Sequence, residues 1–423
     1  MEYENLIAHN LYPVAIDSER YLLYAPLAHS MVVVNGSDVI ELDRQLAANG
    51  HLSNEVLQKS LVDDAVTPEP NYVTSPRDVF ALTILPNNIC NFSCSYCYAA
   101  KGHGGDELSE ETLRSVLDFF VDPARISRKD LYISFGGGGE PLISWDKVLF
   151  SIEYSHSLAV KHGFVVHYSY ASNGSVMNEQ IINAIKRYNI KTNVSFDILE
   201  DIQNRQRRNY QTVCNTLDIM LGNDIFPTIN SVITPLNVGR QTEMVEHVHG
   251  RFPKLRRLSF DYVVDAHLYE DTARLREFYD DYTDNFYAAR RQAARYNMTL
   301  SSIKYHNLEL IKSRACAGGF DLTPQGRISV CFFVSSSKEP LFDDFIYGEV
   351  ADGKVHFDEE KFHRMVSFSS NSQSRCRNCF IRWHCGGGCL FHSKSYTGEQ
   401  MAAMCDFQRK FSLAALLEKI NNK

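Results

Sequence analysis

The sequence predicts an α/β protein centred on a parallel sheet or partial barrel, and three observations carry that prediction. Six apolar runs recur between residues 80 and 263, separated by helix-like segments, the alternation of parallel strands joined by crossover helices. The eleven cysteines divide into three at 90–97, one at 214 and seven at 316–405. Three prolines in residues 67–76 disfavour continuous helix and mark a linker ahead of the central body. The expected organisation is an N-terminal piece (1–75), a body (76–266), a bridging helical segment (267–309) and a cysteine-rich module (310–423).

In the N-terminal piece, residues 20–25 and 29–34 read as a strand pair, followed by a helix over 37–48 and a second helix from Ser53. The six strands of the body are expected at 80–85, 131–135, 165–170, 192–196, 228–233 and 257–263, with helices at 109–121, 145–162, 178–188 and 213–221. A long amphipathic stretch at 271–296 closes the series. In such sheets ligands gather at the carboxyl ends of the strands.

A chain of 423 residues, 44% hydrophobic and 22% charged, matches globular usage and excludes a disordered or collagen-like polymer. No segment approaches the roughly 18 uninterrupted apolar residues of a membrane span. The N-terminus has acids where a secretory signal has bases. The expected location is therefore the cytoplasm, where grouped cysteines point to metal or redox chemistry before disulfides. Residues 1–80 hold twelve acids against four bases, an excess equal to the whole net charge of −8. An acidic arm is a poor surface for nucleic acid, whose phosphates need clustered Lys and Arg. A solvated acidic face without a partner is the plainer alternative.

After the first strand comes Cys90-Asn-Phe-Ser-Cys94-Ser-Tyr-Cys97-Tyr. Three thiolates leave a structural zinc one ligand short, but they can hold a four-iron cluster with one iron open. Zinc completed by a remote side chain is the competing reading. The triplet, with Tyr96 before its third cysteine, resembles that of the radical S-adenosylmethionine (radical SAM) superfamily. The resemblance implies a partial (β/α)6 TIM-like barrel, a [4Fe–4S] cluster on Cys90, Cys94 and Cys97, and S-adenosylmethionine cleaved reductively to a 5′-deoxyadenosyl radical. A small electron donor such as a flavodoxin or ferredoxin is then expected.

The other motifs follow strand by strand. Strand two runs into Gly136, Gly137, Gly138, Gly139, Glu140 and Pro141, similar to the family's Gly-Gly-Glu-Pro segment that meets the cofactor's amino group. Glycine permits close main-chain approach there. Strand three ends in Ala171-Ser172-Asn173-Gly174, similar to the family's strand-end Thr-Asn-Gly, and strand four in Ser195-Phe-Asp197, resembling the family's Ser-x-Asp…Arg pattern near the cofactor's ribose and carboxylate. The usual glycine after the aspartate is Ile198 here. Arg205, Arg207 and Arg208 compete for the family's arginine, and spacing favours Arg207.

The C-terminal module reads Cys316-x9-Gly326-x4-Cys331, then Cys376-x2-Cys379-x5-Cys385-x3-Cys389, then Cys405. Paired zinc ribbons are the alternative. The spacings resemble the seven-cysteine SPASM subfamily, which implies two auxiliary [4Fe–4S] clusters and three clusters in all. One would be held by Cys316, Cys331 and Cys389, the other by Cys376, Cys379, Cys385 and Cys405. The first set is one thiolate short, and residues 317–323 contain no cysteine. That iron is either open or held by another residue type. Cys214 reads as a buried small apolar residue, and His384 and His392 as packing or hydrogen-bonding groups.

The subfamily implies oxidation or crosslinking of peptide and protein side chains. Residues 1–75 have the length and element order of a small winged-helix-like domain that binds a precursor's leader peptide as an edge strand; the acidic excess fits a leader with basic residues. The expected function is a peptide maturase that forms a carbon, ether or thioether crosslink. Its alternatives are a sulfatase-type protein maturase, a small-molecule dehydrogenase, or a metal-stabilised binding or electron-transfer module. No catalytic base can be assigned; Asp261 and Tyr262, at the sixth strand, are the candidates nearest the expected cavity.

Overall fold

The computed structural model describes residues 3–68, 73–265 and 271–421. Parts of the expected linker and the expected boundary at 266/267 lie outside them. Six parallel strands form where alternation places them: β4 (Ala81–Ile84), β5 (Asp130–Phe135), β6 (Val165–Ser172), β7 (Lys191–Ser195), β8 (Thr228–Ile233) and β9 (Arg257–Tyr262). They pair in sequence order, each with the next, the arrangement of an open, partial (β/α) barrel. A seventh parallel strand, β10 (Thr299–Ser301), joins β9. Three residues are too few to show a period of two, so the sequence pattern does not reveal it.

Beyond β4 the sheet continues through β11 (Asp321–Leu322), parallel to β4, and antiparallel β12 (Arg327–Ser329), β13 (Ile346–Ala351) and β14 (Lys354–Phe357). The C-terminal module thus extends the barrel sheet. Every second strand residue is fully buried, including Ile133, Tyr170, Val194, Ile229 and Phe260. The alternate positions Ser134, Ser169, Asn193, Ser195, Asn230 and Ser259 are half-buried and polar. The period of two therefore gives the sheet one apolar face under the helices and one polar, accessible face. Crossover helices start on side-chain caps: Ser109 accepts from Thr112 N and Asn178 from Ile181 N.

The N-terminal sheet has three antiparallel strands, β1 (Tyr12–Ala15), β2 (Arg20–Ala25) and β3 (Ser30–Asn35), in that order. The sequence predicts only β2 and β3. Pro13 disguises β1, since proline is tolerated on an edge strand, where its missing N–H breaks no ladder. The helix Gly36–Asn49 follows, with a reciprocal cap between Asn35 and Asp38. The second expected helix is short, Glu55–Leu57, and passes into a π-turn over Gln58–Asp63.

This sheet docks onto the cysteine-rich module. Tyr12, Leu22 and Tyr24 pack with Phe380, Ile381 and Leu416. Tyr24 Oη lies 2.6 Å from His384 Nε2, and Trp383 Nε1 donates to Asn10 Oδ1 at 2.9 Å. His384 Nδ1 is 2.7 Å from the Leu310 carbonyl, so Nδ1 carries the proton and Nε2 accepts from Tyr24. Burial pushes the His384 pKa down to about 4, which keeps that tautomer neutral. Residues 1–75 therefore cover the loop carrying Cys379 and Cys385. Truncation before residue 76 is expected to cost roughly 5 kcal/mol through exposure of Phe380, Ile381 and Leu416. Thermal unfolding by circular dichroism checks this, and an unchanged melting temperature would refute the dependence.

Candidate active site

The loop after β4 is tied down before its first cysteine. Asn87, fully buried, donates from Nδ2 to Glu140 O (3.0 Å) and Ser144 Oγ (2.6 Å), while its Oδ1 accepts from Ile89 N (2.9 Å). Gly139 N donates to Asn87 O, and Glu140 N to Ile89 O. A side chain at Gly139 would stand 2.1 Å from Ile89 O, and Gly138 has φ +64°. What these two glycines approach is therefore the backbone ahead of Cys90. Their carbonyls stay on the strand end, but the requirement for glycine comes from the protein itself.

Glu140 is buried, and burial raises its pKa. One oxygen accepts from Leu142 N, starting the turn at Pro141, and the other from Asn173 N at 2.6 Å. The carboxyl thus joins the ends of β5 and β6. Asn173 Nδ2 donates to Asn91 Oδ1 (2.9 Å) and lies 3.9 Å from Cys90 Sγ.

A second buried group holds the loop from the other side. Tyr96 Oη donates to Asp197 at 2.8 Å and accepts from Arg207 Nη1 at 3.1 Å. Gln206 Nε2 also donates to Asp197. Burial raises the Asp197 pKa against the pull of Arg207. Of the three competing arginines, Arg207 is buried while Arg205 and Arg208 are exposed. Ile198 adopts φ +67° and is fully buried; the left-handed backbone costs about 1–2 kcal/mol, offset by core burial of a side chain that glycine lacks. Ser195 sits on the half-buried polar face of β7.

Cys90, Cys94 and Cys97 are free, half-buried thiols, and burial raises all three pKa values, Cys94 to about 11. Such thiols ionise when a metal supplies positive charge. Among the described residues no three His, Cys, Asp or Glu side chains converge on a single-ion site. Three thiols on one loop would suit a larger group, such as a four-iron cluster, with one position left for a further ligand. Near this set, the Asn88 side-chain amide and Arg207 Nε are buried without hydrogen-bond partners among the described residues, whereas buried polar groups are ordinarily paired.

The seven C-terminal thiols gather as two sets. Cys316, Cys331 and Cys389 interact electrostatically with one another, as do Cys376, Cys379, Cys385 and Cys405. The glycines between Cys385 and Cys389 permit this: side chains at Gly386 and Gly387 would come 2.5 Å from Ala315 N and from Ser369 C. The first set is linked to the Cys90 loop by aromatic contact. The ring of Tyr98, next to Cys97, lies 4.4 Å from Phe333 and 6.1 Å from Phe332, which follow Cys331.

Asp261 and Tyr262 separate, as adjacent strand residues must. Asp261 accepts from Ile303 N and Ser259 Oγ, an anchoring role. Tyr262 lies on the apolar side among Tyr279, Tyr282 and Phe407, its hydroxyl on Met404 Sδ. The structure thus takes Tyr262 away from the cavity the sequence pattern assigns it. Cys214 is buried in the helix Tyr210–Gly222.

The sequence reading missed Asn87, Asn88 and Asp321. The Asn-Asn pair is itself a turn signal. Asp321, on two-residue β11, has no such signal; it is buried beside Cys316 and Cys331, and burial pushes its pKa up to about 7.

The Radical SAM superfamily model matches residues 84–248, from the end of β4 through the polar strand ends just described. The chain carries a radical SAM domain. Over 385 residues it is 21% identical to the radical SAM cyclopropyl synthase TigE of Paramaledivibacter caminithermalis, covering 83% of this chain and 77% of that protein. In fold, the radical SAM domain and its C-terminal extension resemble native anSMEcpe with bound AdoMet and Kp18Cys peptide (TM-score 0.65, 18% identity, 81% of this chain and 99% of that one). They also resemble Streptococcus suis SuiB bound to precursor peptide SuiA (TM-score 0.52, 17% identity, 85% and 79%). Among the described residues no helix is long and apolar enough to cross a membrane.

Tyr96→Phe tests the buried bridge in the radical SAM domain. Removing the hydroxyl leaves Arg207 and Asp197 each short of a partner, at an expected cost of about 2 kcal/mol in urea unfolding. A loss below about 0.5 kcal/mol would show that the bridge contributes nothing.

Proposed function

We propose that this protein is a cytoplasmic radical SAM peptide maturase of the SPASM type, which removes a side-chain hydrogen from a ribosomally made precursor and forms a crosslink. The observation that carries the reading is the Tyr98–Phe333 contact, which puts the Cys90, Cys94 and Cys97 loop beside the C-terminal thiols at the open end of a polar-faced sheet. An enzyme that took a hydrogen atom and then one electron from the same substrate needs both centres near one cavity.

Cys90, Cys94 and Cys97 would hold the first four-iron cluster, with Cys316, Cys331 and Cys389 holding one auxiliary cluster and Cys376, Cys379, Cys385 and Cys405 the other. When bound, these groups and S-adenosylmethionine supply a 5′-deoxyadenosyl radical and one-electron acceptors. The chain's own residues do the rest. Gly137–Gly139 carbonyls, Asn173, Ser195 and Arg207 line the strand ends where the cofactor's polar groups would sit. Glu140, Asp197 and Tyr96 hold those groups in place. The half-buried serines and asparagines of the inner face leave room for an extended peptide.

Residues 1–75 fit a leader-recognition domain. β3 is a sheet edge, and Val33 on it is 39% exposed, so a peptide can add as a further strand. The names of the relatives agree in kind: TigE is called a cyclopropyl synthase, and anSMEcpe and SuiB were crystallised with peptides.

Iron-loaded protein under reduction should release 5′-deoxyadenosine from S-adenosylmethionine, and Cys94→Ala should abolish release. Liquid chromatography measures it; no release from the loaded protein would overturn the reading. A short peptide encoded beside the gene should lose about 2 Da, one hydrogen from each crosslinked position.

Because residues 1–75 also cover the Cys379–Cys385 loop, deleting them confounds leader binding with cluster stability. Val33→Pro is the narrower variant: proline on an edge strand blocks strand addition, and Val33 is not itself packed at that interface although its cross-strand partner Leu22 is, so the melting temperature of the variant is measured alongside. The variant should weaken precursor binding at least tenfold in fluorescence anisotropy and spare 5′-deoxyadenosine release. Unchanged binding would remove the leader assignment.

A further inference from the structure

We infer that His392 is the fourth protein ligand of the auxiliary cluster held by Cys316, Cys331 and Cys389, bonding iron through Nε2. The inference rests on the cluster assignment proposed above.

Cys389 is the N-cap of the helix Leu390–Ser395, and His392 is its third residue. A side chain at the third helical position can reach back toward the N-cap residue, as in a capping box. His392 is 5% exposed, and its Nε2 is buried with no hydrogen-bond partner among the described residues. Buried ring nitrogens are ordinarily paired, so this one lacks something that the protein itself does not supply. The ring is held in place by Tyr396, stacked at 5.0 Å and 27°, and by Phe391 at 6.4 Å. Lys304 interacts electrostatically with His392 and with Cys385, Cys389 and Cys405, and Tyr396 with Cys389, so His392 lies on the side of the module where thiols of both sets face Lys304; of the two sets, only that of Cys316, Cys331 and Cys389 is one ligand short.

Of the other candidates, His384 has both nitrogens bonded, to Tyr24 and to the Leu310 carbonyl. Asp321 accepts from Thr83 and keeps a second carboxylate oxygen, so it is the competing ligand, one that would give no nitrogen coupling. A neutral imidazole in place of a thiolate removes one negative charge from the cluster and raises its reduction potential, as histidine ligation does in Rieske centres.

The test uses full-length protein in which Cys90, Cys94 and Cys97 are changed to Ala, leaving the two auxiliary clusters, loaded and reduced without oxygen. Pulsed electron paramagnetic resonance should show a nitrogen-14 coupling on one cluster. Labelling with nitrogen-15 histidine should convert it, and His392→Ala and His392→Cys should each abolish it. His392→Cys should keep its iron and shift that cluster to a lower midpoint potential. Absence of the coupling, or its survival in both variants, would overturn the assignment. Cys316→Ala in the same background should lose about four irons; unchanged iron would overturn the cluster reading itself, and the ligand inference with it.

Discussion

Three thiols on one loop stay in register only if the loop cannot move, and here buried hydrogen bonds provide that constraint. On one side Asn87 and Glu140 bind the loop to the glycine turn and to the ends of β5 and β6. On the other, Asp197 and Arg207 clamp Tyr96 between Cys94 and Cys97. Each polar atom so used has been taken from water and must be paired, so the network has few alternative arrangements. Its cost is offset by the barrel core beneath, where Ile84, Ile133, Val194 and Phe196 are fully buried. Among the described residues the same network leaves Arg207 Nε and the Asn88 side-chain amide without partners.

The C-terminal module obeys a different constraint. Apart from Cys405 on the long helix Gly398–Asn421, its cysteines lie on turns and short helical segments, and between Cys385 and Cys389 close backbone contact takes the place of side-chain hydrogen bonds. Gly386 and Gly387 let the turn between Cys385 and Cys389 press against residues 313–315 and 369–370. The N-terminal sheet then covers Phe380 and Ile381. The N-terminal sheet and the loop carrying Cys379 and Cys385 share one apolar interface, with Tyr24 and His384 at its polar centre.

Glycine 139 and isoleucine 198 show how a motif can be legible while its reason is not. The glycine run is readable as a site, yet the nearest obstacle to a side chain at 139 is the chain's own carbonyl at residue 89. Ile198 departs from the expected glycine but keeps the positive φ, because the core accepts its side chain. Arg207 was separable from its neighbours by spacing, and burial gives the physical ground. Tyr262 was placed by its position at a strand end, and strand parity put it on the other face.

The sequence by itself determined the six strands of the body, β2 and β3, and the ten clustered cysteines, because these rest on local periodicity and on short spacings. It also marked Cys214 as a core residue. Only the tertiary structure decided which thiols share a neighbourhood, that Tyr98 meets Phe333, that the N-terminal sheet lies on the loop carrying Cys379 and Cys385, and that Asp321 and His392 are buried. Those facts depend on contacts between segments hundreds of residues apart, and a linear pattern holds no record of which buried polar atoms remain without a partner.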